Sequence, residues 1–571
     1  MLKNLWHLIF PKSYKHVYQA KQKILNGYRN YKLPKTSLTQ EEKLRILESS
    51  VTQLKQKLIN EEITSKEILI TYAERALTIG IDQCYVTDFD LDYALARAEE
   101  CDRILKSTPK KDRENLGLLF GIPVSIKENI IQKGFDSTCG TATRCFNPSL
   151  VDSATVQLIR KAGAIPFVRT NVPQLLSVIE TVNFIWGRAN NPWDPTRSTG
   201  GSSGGEAGMI TTGCSPLGFG TDGLSSLRTP ASWCGIYSFK PTTGRVSWRR
   251  STVHFDYLAE GKWGIMNANI GPMAKSAYDL ELCMKCLIHE DNRQTDPKFP
   301  YLPWNDQLAS PENKKFKIGY FTTEDMFGAC KTARRAVMEA VEEMRKQGHE
   351  VEEIKIPRFN EIIRVAIAIM TSDGKGRANM SALNGETLIN EMRYRLMLYF
   401  IPNLIRKLIT PLLKLFGEER ALFFSDVSNG LSGHQFLYII NEKEELEKEF
   451  FDYFHKKKLD VIICPATGLP ALLHGTSGEL ALNVCYSWIG NVLNLPSGML
   501  PVTRVKEGED HYSEEDCRHR DILFRLSKKN MKGSIGLPVG VQVLSLPWED
   551  EKCIAVMKIL EERFPSMLKL S

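Results

Sequence analysis

GIPVSIKEN (residues 121–129), DSATVQLIRKAGA (residues 152–164) and AIPFV (residues 164–168) lie close together in the chain. The first and last hold short apolar runs of the length and composition of buried strands. The middle segment returns an apolar residue every three or four positions, as an amphipathic helix does. Strand, helix, strand is the repeating unit of a sheet covered by helices, so the alternation that starts at Leu118 predicts an α/β layer architecture.

Working outward, residues 40–110 read as helices. ITSKEILITYAERAL (Ile63 to Leu77) offers a cap at Thr64 or Ser65. Residues 312–440 are helix-rich, with KIGYF as a strand and TARRAVMEAVEEMRKQG as a helix. Strands return in LDVIICPA (Leu459 to Ala466) and GLPVGVQVLS (Gly536 to Ser545), and the helix DEKCIAVMKILEERF follows. No internal repeat or long low-complexity linker interrupts this pattern. It predicts one interleaved domain over residues 41–571, preceded by an accessory arm, residues 1–40.

The 571 residues are 42% hydrophobic, with 27 prolines spread widely, which fits a globular protein with a large core. A formal charge of +7 is mild at this size, and no basic tract is dense enough to point to nucleic acid. Thirteen scattered cysteines and no apparent secretory signal read as reduced thiols in a cytosol-facing protein. Cys283 and Cys286 form a lone CxxC within apolar residues at helical spacing. It lacks a partner pair, so both read as core cysteines, and no metal or cofactor is expected. MLKNLWHLIF (residues 1–10) is too short for a spanning helix, which needs about 20 apolar residues. It reads equally as an interfacial anchor, with Trp6 at headgroup depth, or as a helix or frayed tail against the body.

Three elements carry chemistry. Lys127 ends the first strand, where desolvation would lower its pKa and let the neutral amine act as a base. Most strand-end lysines instead extend to water. STGGSSGGE (Ser198 to Glu206) places two serines among four glycines. Such a loop can hold a hydroxyl against a buried partner, or be merely flexible. GTDGLSSLR (Gly220 to Arg228) sets serines on a turn, where a hydroxyl can attack a carbonyl and turn amides can stabilise the oxyanion. Serine is also common in turns for local hydrogen-bonding reasons.

Together the three resemble the amidase signature family, and most of all the fatty acid amide hydrolases of animals. GAIPFVRTNVPQ, NPW, SPLGFGTD, KPTTGRVS, GPMAKSAYDL and SIGLPVGVQVLSLPW extend the likeness over most of residues 60–560. The resemblance implies a mixed, twisted central sheet surrounded by many helices. It implies a catalytic triad of Lys127 as base, Ser202 as proton relay after a cis peptide, and Ser226 as nucleophile. Ser226 fits by its spacing of 24 from Ser202 and by its neighbours Thr221, Asp222, Leu227 and Arg228. Ser225 is one residue out of register. The amides of Gly223, Leu224, Ser225 and Ser226 would form the oxyanion hole, and Leu176 would lie near the substrate carbonyl. The departure is that Leu224 and Ser225 stand where the family carries two glycines. A leucine held at positive φ would be strained by roughly 1–2 kcal/mol, and its side chain could fill the carbonyl's place.

RLMLYFIPNLIRKLITPLLKLF (Arg395 to Phe416) bears on the substrate. On a helical wheel Leu404, Ile405, Leu408, Ile409, Leu412, Leu413, Leu415 and Phe416 fill about half the circumference. Arg406, Lys407, Thr410 and Lys414 gather opposite. That pattern suits a core helix with solvated lysines or a helix lying in a membrane interface. The resemblance favours the second, a membrane-binding cap near residues 395–416. The expected function is therefore a serine hydrolase of fatty acid amides, peripheral on a cytosol-facing endomembrane. Its partners would be a lipid amide and a membrane surface, with a homodimer open. A catalytically weakened relative that binds acyl lipids is the alternative. A soluble amidase of small amides is a third reading.

Overall fold

The computed structural model describes residues 11–247, 264–296, 299–312, 314–373, 377–393, 403–415, 417–418, 420 and 430–570. The strands are β1 Val86–Phe89, β2 Pro123–Lys127, β3 Ile165–Thr170, β4 Val182–Asn183, β5 Gly187–Arg188, β6 Leu217–Asp222 and β7 Tyr237–Lys240. They continue with β8 Asn269–Ala274, β9 Lys317–Tyr320, β10 Glu350–Glu353, β11 Val461–Pro465, β12 Ser497–Arg504 and β13 Pro538–Leu544. Eleven of them make a single sheet in the order β1-β3-β2-β6-β8-β7-β12-β13-β11-β9-β10, while β4 and β5 pair separately. The sheet is mixed, as expected: β2 runs parallel to β3 and β6, whereas β1 is antiparallel to β3 and β8 antiparallel to β6.

Every residue of β2, β3 and β6 is buried. A strand covered by helices on both faces loses the in–out alternation, which explains the continuous apolar texture of GIPVSI. The helix between β2 and β3, Ala154–Lys161, is capped by Ser153, whose hydroxyl accepts from the Val156 N–H. Register then fixes the site. Lys127 pairs with Thr170 across β2 and β3, and Ile126 pairs with Phe219 across β2 and β6. The carboxyl ends of three strands, separated widely in sequence, therefore lie side by side.

Other expectations meet the structure in detail. The helix Ser65–Arg75 takes Thr64 as its cap, in a reciprocal capping box with Glu67. Cys283 and Cys286 are buried in the helix Ala277–Leu287. β1, which lies in the stretch read as helices, and β4 to β8, β10 and β12 carried no recognised strand signal. In β12, Gly498 and Pro501 break the pattern, and its register with β13 shifts between Pro501 and Thr503, where proline cannot donate to the ladder.

The described part of the N-terminal arm is a docked helix, Lys15–Gly27. Lys21 pairs with Asp136 at 2.6 Å, and the Tyr18 hydroxyl donates to Glu386 at 2.8 Å. Residues 1–10, with Trp6, lie outside the described residues. The amphipathic segment forms the helix Asn403–Leu415 with Pro411 inside it. Its Leu408, Leu412 and Leu415 are 66%, 54% and 80% exposed, and Ile405 and Ile409 are exposed too. Phe416 and residues 394–402 lie outside the described residues. Among the described residues, no helix is long and apolar enough to cross a membrane.

Candidate active site

Lys127 is the last residue of β2 and is wholly buried. Its Nζ lies 2.7 Å from Ser202 Oγ, 2.8 Å from Thr221 Oγ1 and 3.3 Å from the Thr221 carbonyl oxygen. Three partners match a neutral amine. The Thr221 oxygens can take its two N–H bonds, and the Ser202 hydroxyl can donate to its lone pair. Burial pushes the Lys127 pKa down to about 7, against the opposing pull of Asp222 and of more distant acidic groups.

The glycine-serine loop enters the helix Gly204–Thr211, all of whose residues are buried. The peptide Gly201–Ser202 is cis, as expected from the resemblance. A Cβ on Gly201 would stand 2.7 Å from the Val178 carbonyl oxygen, so only glycine fits against the loop that follows Leu176. Leu175 and Leu176 in that loop are both left-handed, with φ of 59° and 55°, a strained pair of non-glycine residues. Leu176 itself makes no hydrogen bond to Lys127, Ser202 or Ser226 among the described residues; its N–H goes to the Pro173 carbonyl at 3.0 Å.

The third loop is built around Asp222. Its carboxylate receives Arg228 through Nε and Nη2, each at 3.0 Å, in the planar fork that guanidinium and carboxylate share. Burial raises the Asp222 pKa, but Arg228 overcomes that and holds the acid down at about 2. The same carboxylate accepts the N–H of Ser225 at 2.8 Å and of Leu227 at 3.1 Å.

Two sequence expectations change here. The left-handed residue of the turn is Ser225, with φ 76°, and not Leu224. Leu224 is half-buried and packs against the main core, so the strain expected for it falls one position later. Secondly, the Ser225 N–H is spent on Asp222. Among the described residues, the N–H groups of Gly223, Leu224 and Ser226 have no protein partner, leaving three candidate oxyanion donors in place of four.

The Ser226 carbonyl accepts from the Ser203 N–H at 3.1 Å, which seats the turn on the glycine-serine loop. Ser226 is half-buried, and its hydroxyl has no hydrogen-bond partner among the described residues. Lys127 and Ser202 are thus joined directly, while Ser226 is tied to the glycine-serine loop through its carbonyl, at Ser203. Catalytic hydrogen bonds are often long before substrate binds.

Sequence reasoning gave no role to Thr221 as the second partner of Lys127, or to Glu206. The buried Glu206 carboxylate accepts from Ser125 Oγ and, at 2.8 Å, from Thr170 Oγ1. Burial raises its pKa to about 7, partly offset by those two hydroxyls. A Cβ on Gly218 of β6 would stand 1.9 Å from Glu206 Oε2, so the acid lies directly against the strand. A lone glutamate in the otherwise apolar run GGEAGMIT was the available signal.

A family profile described as Amidase matches residues 67–554. This chain belongs to the amidase signature family. It is 30% identical over 522 residues to "Fatty-acid amide hydrolase 1" of Sus scrofa, covering 90% of this chain and 86% of that one. It is also 30% identical over 512 residues to "Fatty acid amide hydrolase 1" of Caenorhabditis elegans, with 89% and 87% covered. A solved "Fatty acid amide hydrolase" superposes with a TM-score of 0.79 at 23% identity, covering 96% of this amidase and 94% of that chain. The native peptide amidase of Stenotrophomonas maltophilia shares the fold at a TM-score of 0.65. This amidase signature hydrolase is also 26% identical to an "Amidase" of Gibberella moniliformis over 537 residues, with 93% and 91% covered.

Proposed function

We propose that this amidase cleaves amides of long acyl chains at a membrane surface, using Lys127, Ser202 and Ser226. The observation that carries the reading is the 2.7 Å contact of a wholly buried Lys127 with Ser202. Neutral Lys127 takes a proton from Ser202, which takes one from Ser226 as its oxygen attacks the acyl carbon. The N–H groups of Gly223, Leu224 and Ser226 stabilise the tetrahedral oxyanion. The proton returns through Ser202 to the departing amine, leaving an ester on Ser226. Water, deprotonated by the same relay, releases the fatty acid and restores the serine.

A long-chain substrate is supported by the relatives named fatty acid amide hydrolase. The exposed apolar residues of the helix 403–415 supply a surface through which an acyl chain could leave a bilayer. The test is labelling by a fluorophosphonate probe, followed by hydrolysis of oleamide against acetamide. Label on the parent, none on Ser226→Ala, and preference for oleamide are expected. A preference for acetamide would instead favour a soluble amidase of small amides.

Membrane contact through that helix has its own test. Leu408→Asp with Leu412→Asp should reduce pelleting with anionic liposomes at least tenfold, since each buried leucine contributes roughly 1.5–3 kcal/mol. Salt should release the parent less than detergent does. Unchanged pelleting of the double variant would remove this helix from the interface.

One observation favours a second reading, an acyl-lipid binder with weakened catalysis: the Ser226 hydroxyl is not hydrogen-bonded to Ser202. Saturable binding of oleamide without turnover or labelling is the result that would establish it.

A further inference from the structure

Ser225 is fully buried and left-handed, and each of its polar groups is committed inward. Its N–H donates to Asp222 Oδ1 at 2.8 Å, and its carbonyl accepts from the Thr229 N–H at 2.9 Å. Its hydroxyl lies 2.5 Å from the hydroxyl of Thr229, itself wholly buried. A side chain at positive φ is disfavoured by its own Cβ, which is why glycine is the usual choice there. Here the side chain is what anchors the conformation.

We propose that Ser225 and Thr229 form a hydroxyl latch that substitutes for a glycine and aims the Ser226 N–H at the oxyanion. The inference rests on the hydrolase reading and names two positioning residues within that site. The torsions of Ser225 orient the peptide that joins it to Ser226. Fixing them fixes the direction of one of the three unpartnered N–H groups and the placement of the Ser226 side chain. Neither Ser225 nor Thr229 offers a free polar group to substrate, so the latch acts only through its neighbour.

The two partners are not equivalent when removed. Thr229→Val keeps the shape and leaves the Ser225 hydroxyl buried without a partner. Ser225→Gly removes the strain, and the Thr229 hydroxyl can then turn to the carbonyl of residue 225, four positions back in the turn before its helix, which already accepts the Thr229 N–H. The latch therefore makes the cost of Thr229→Val depend on what stands at 225.

The experiment is a double-mutant cycle on the full chain, with kcat and KM for oleamide and the fluorophosphonate labelling rate as readouts. Thr229→Val should lower kcat about tenfold, less than outright loss of an oxyanion donor, with KM nearly unchanged. Thr229→Ser should recover most of that loss. In the Ser225→Gly background the same Thr229→Val change should cost about twofold or less. Equal losses in both backgrounds, or a loss carried in KM, would overturn the latch and leave Thr229 as packing. A parent that neither labels nor turns over would overturn the hydrolase reading itself, before any substitution is made.

Discussion

Lys127→Ala should abolish amide turnover, with a loss on the order of 10^4-fold or more in kcat, while leaving the fold intact. A lysine buried with its charge disfavoured costs stability in every pH range where the unfolded chain would keep it protonated. Removing it therefore relieves the fold as it removes the base. The pH dependence follows from the same group. Burial places the Lys127 pKa at about 7, and only the neutral amine can take the Ser202 proton. The parent's kcat/KM should climb with pH through about 7 and then level. Between about 7 and the ordinary lysine value of 10.5 the unfolded chain binds one more proton at this site than the folded protein does. The cost of burying Lys127 is thus largest below 7 and fades as pH rises to 10.5. Lys127→Ala should raise the thermal midpoint more at pH 6 than at pH 9. A parent profile that is flat from pH 6 to 9 would show that Lys127 is not the base.

Asp222→Ala should cost about 3–5 kcal/mol of folding stability, the penalty for leaving a buried guanidinium without its carboxylate. That is a large part of the roughly 5–15 kcal/mol a protein of this kind possesses. The loss has three parts: Arg228 becomes an unpaired charge, and the N–H groups of Ser225 and Leu227 lose their acceptor. Urea unfolding should show a much lower midpoint, and any protein that remains folded should fail to label with a fluorophosphonate, because the turn no longer closes. The wild-type contribution has its own pH signature. Arg228 holds the Asp222 pKa at about 2, below its ordinary 3.8, so the contribution is complete above 3.8 and is lost as pH falls through about 2. Wild-type stability with Asp222→Ala unchanged would mean that the clamp is dispensable.

The sequence made the α/β alternation legible because β2 and β3 are wholly buried and their connecting helix is amphipathic. It also made Lys127 and Ser202 legible as partners, through motifs that a separation of 75 positions does not obscure. β12 was hidden because Gly498 interrupts its apolar pattern and Pro501 stands at a register shift. The turn at 223–226 was half legible. The missing glycines marked it as unusual, but which residue takes positive φ is a property of the closed turn. Leu224 looked like the strained residue; the Asp222 carboxylate draws the Ser225 N–H inward and moves the strain there. The Ser225–Thr229 contact was invisible, since a turn serine and a threonine in the helix Arg228–Cys234 carry no mark of pairing in the sequence. The wheel of the helix 403–415 showed it to be amphipathic, but the exposure of its leucines is a property of the folded chain.

Arg228 has a further consequence, for the order in which the molecule can be made. Besides Asp222, its guanidinium contacts the carbonyl of Ser487 at 2.5 Å, Asn491 Oδ1 at 2.6 Å and Gln542 Oε1 at 3.3 Å. Those partners follow it by 259, 263 and 314 positions. On a ribosome the strands β2, β3 and β6 emerge early and Asp222 can meet Arg228 at once, but the arginine's other partners arrive only as the chain is extended to Gln542. The serine turn therefore gains its full set of contacts only once Gln542 has been delivered.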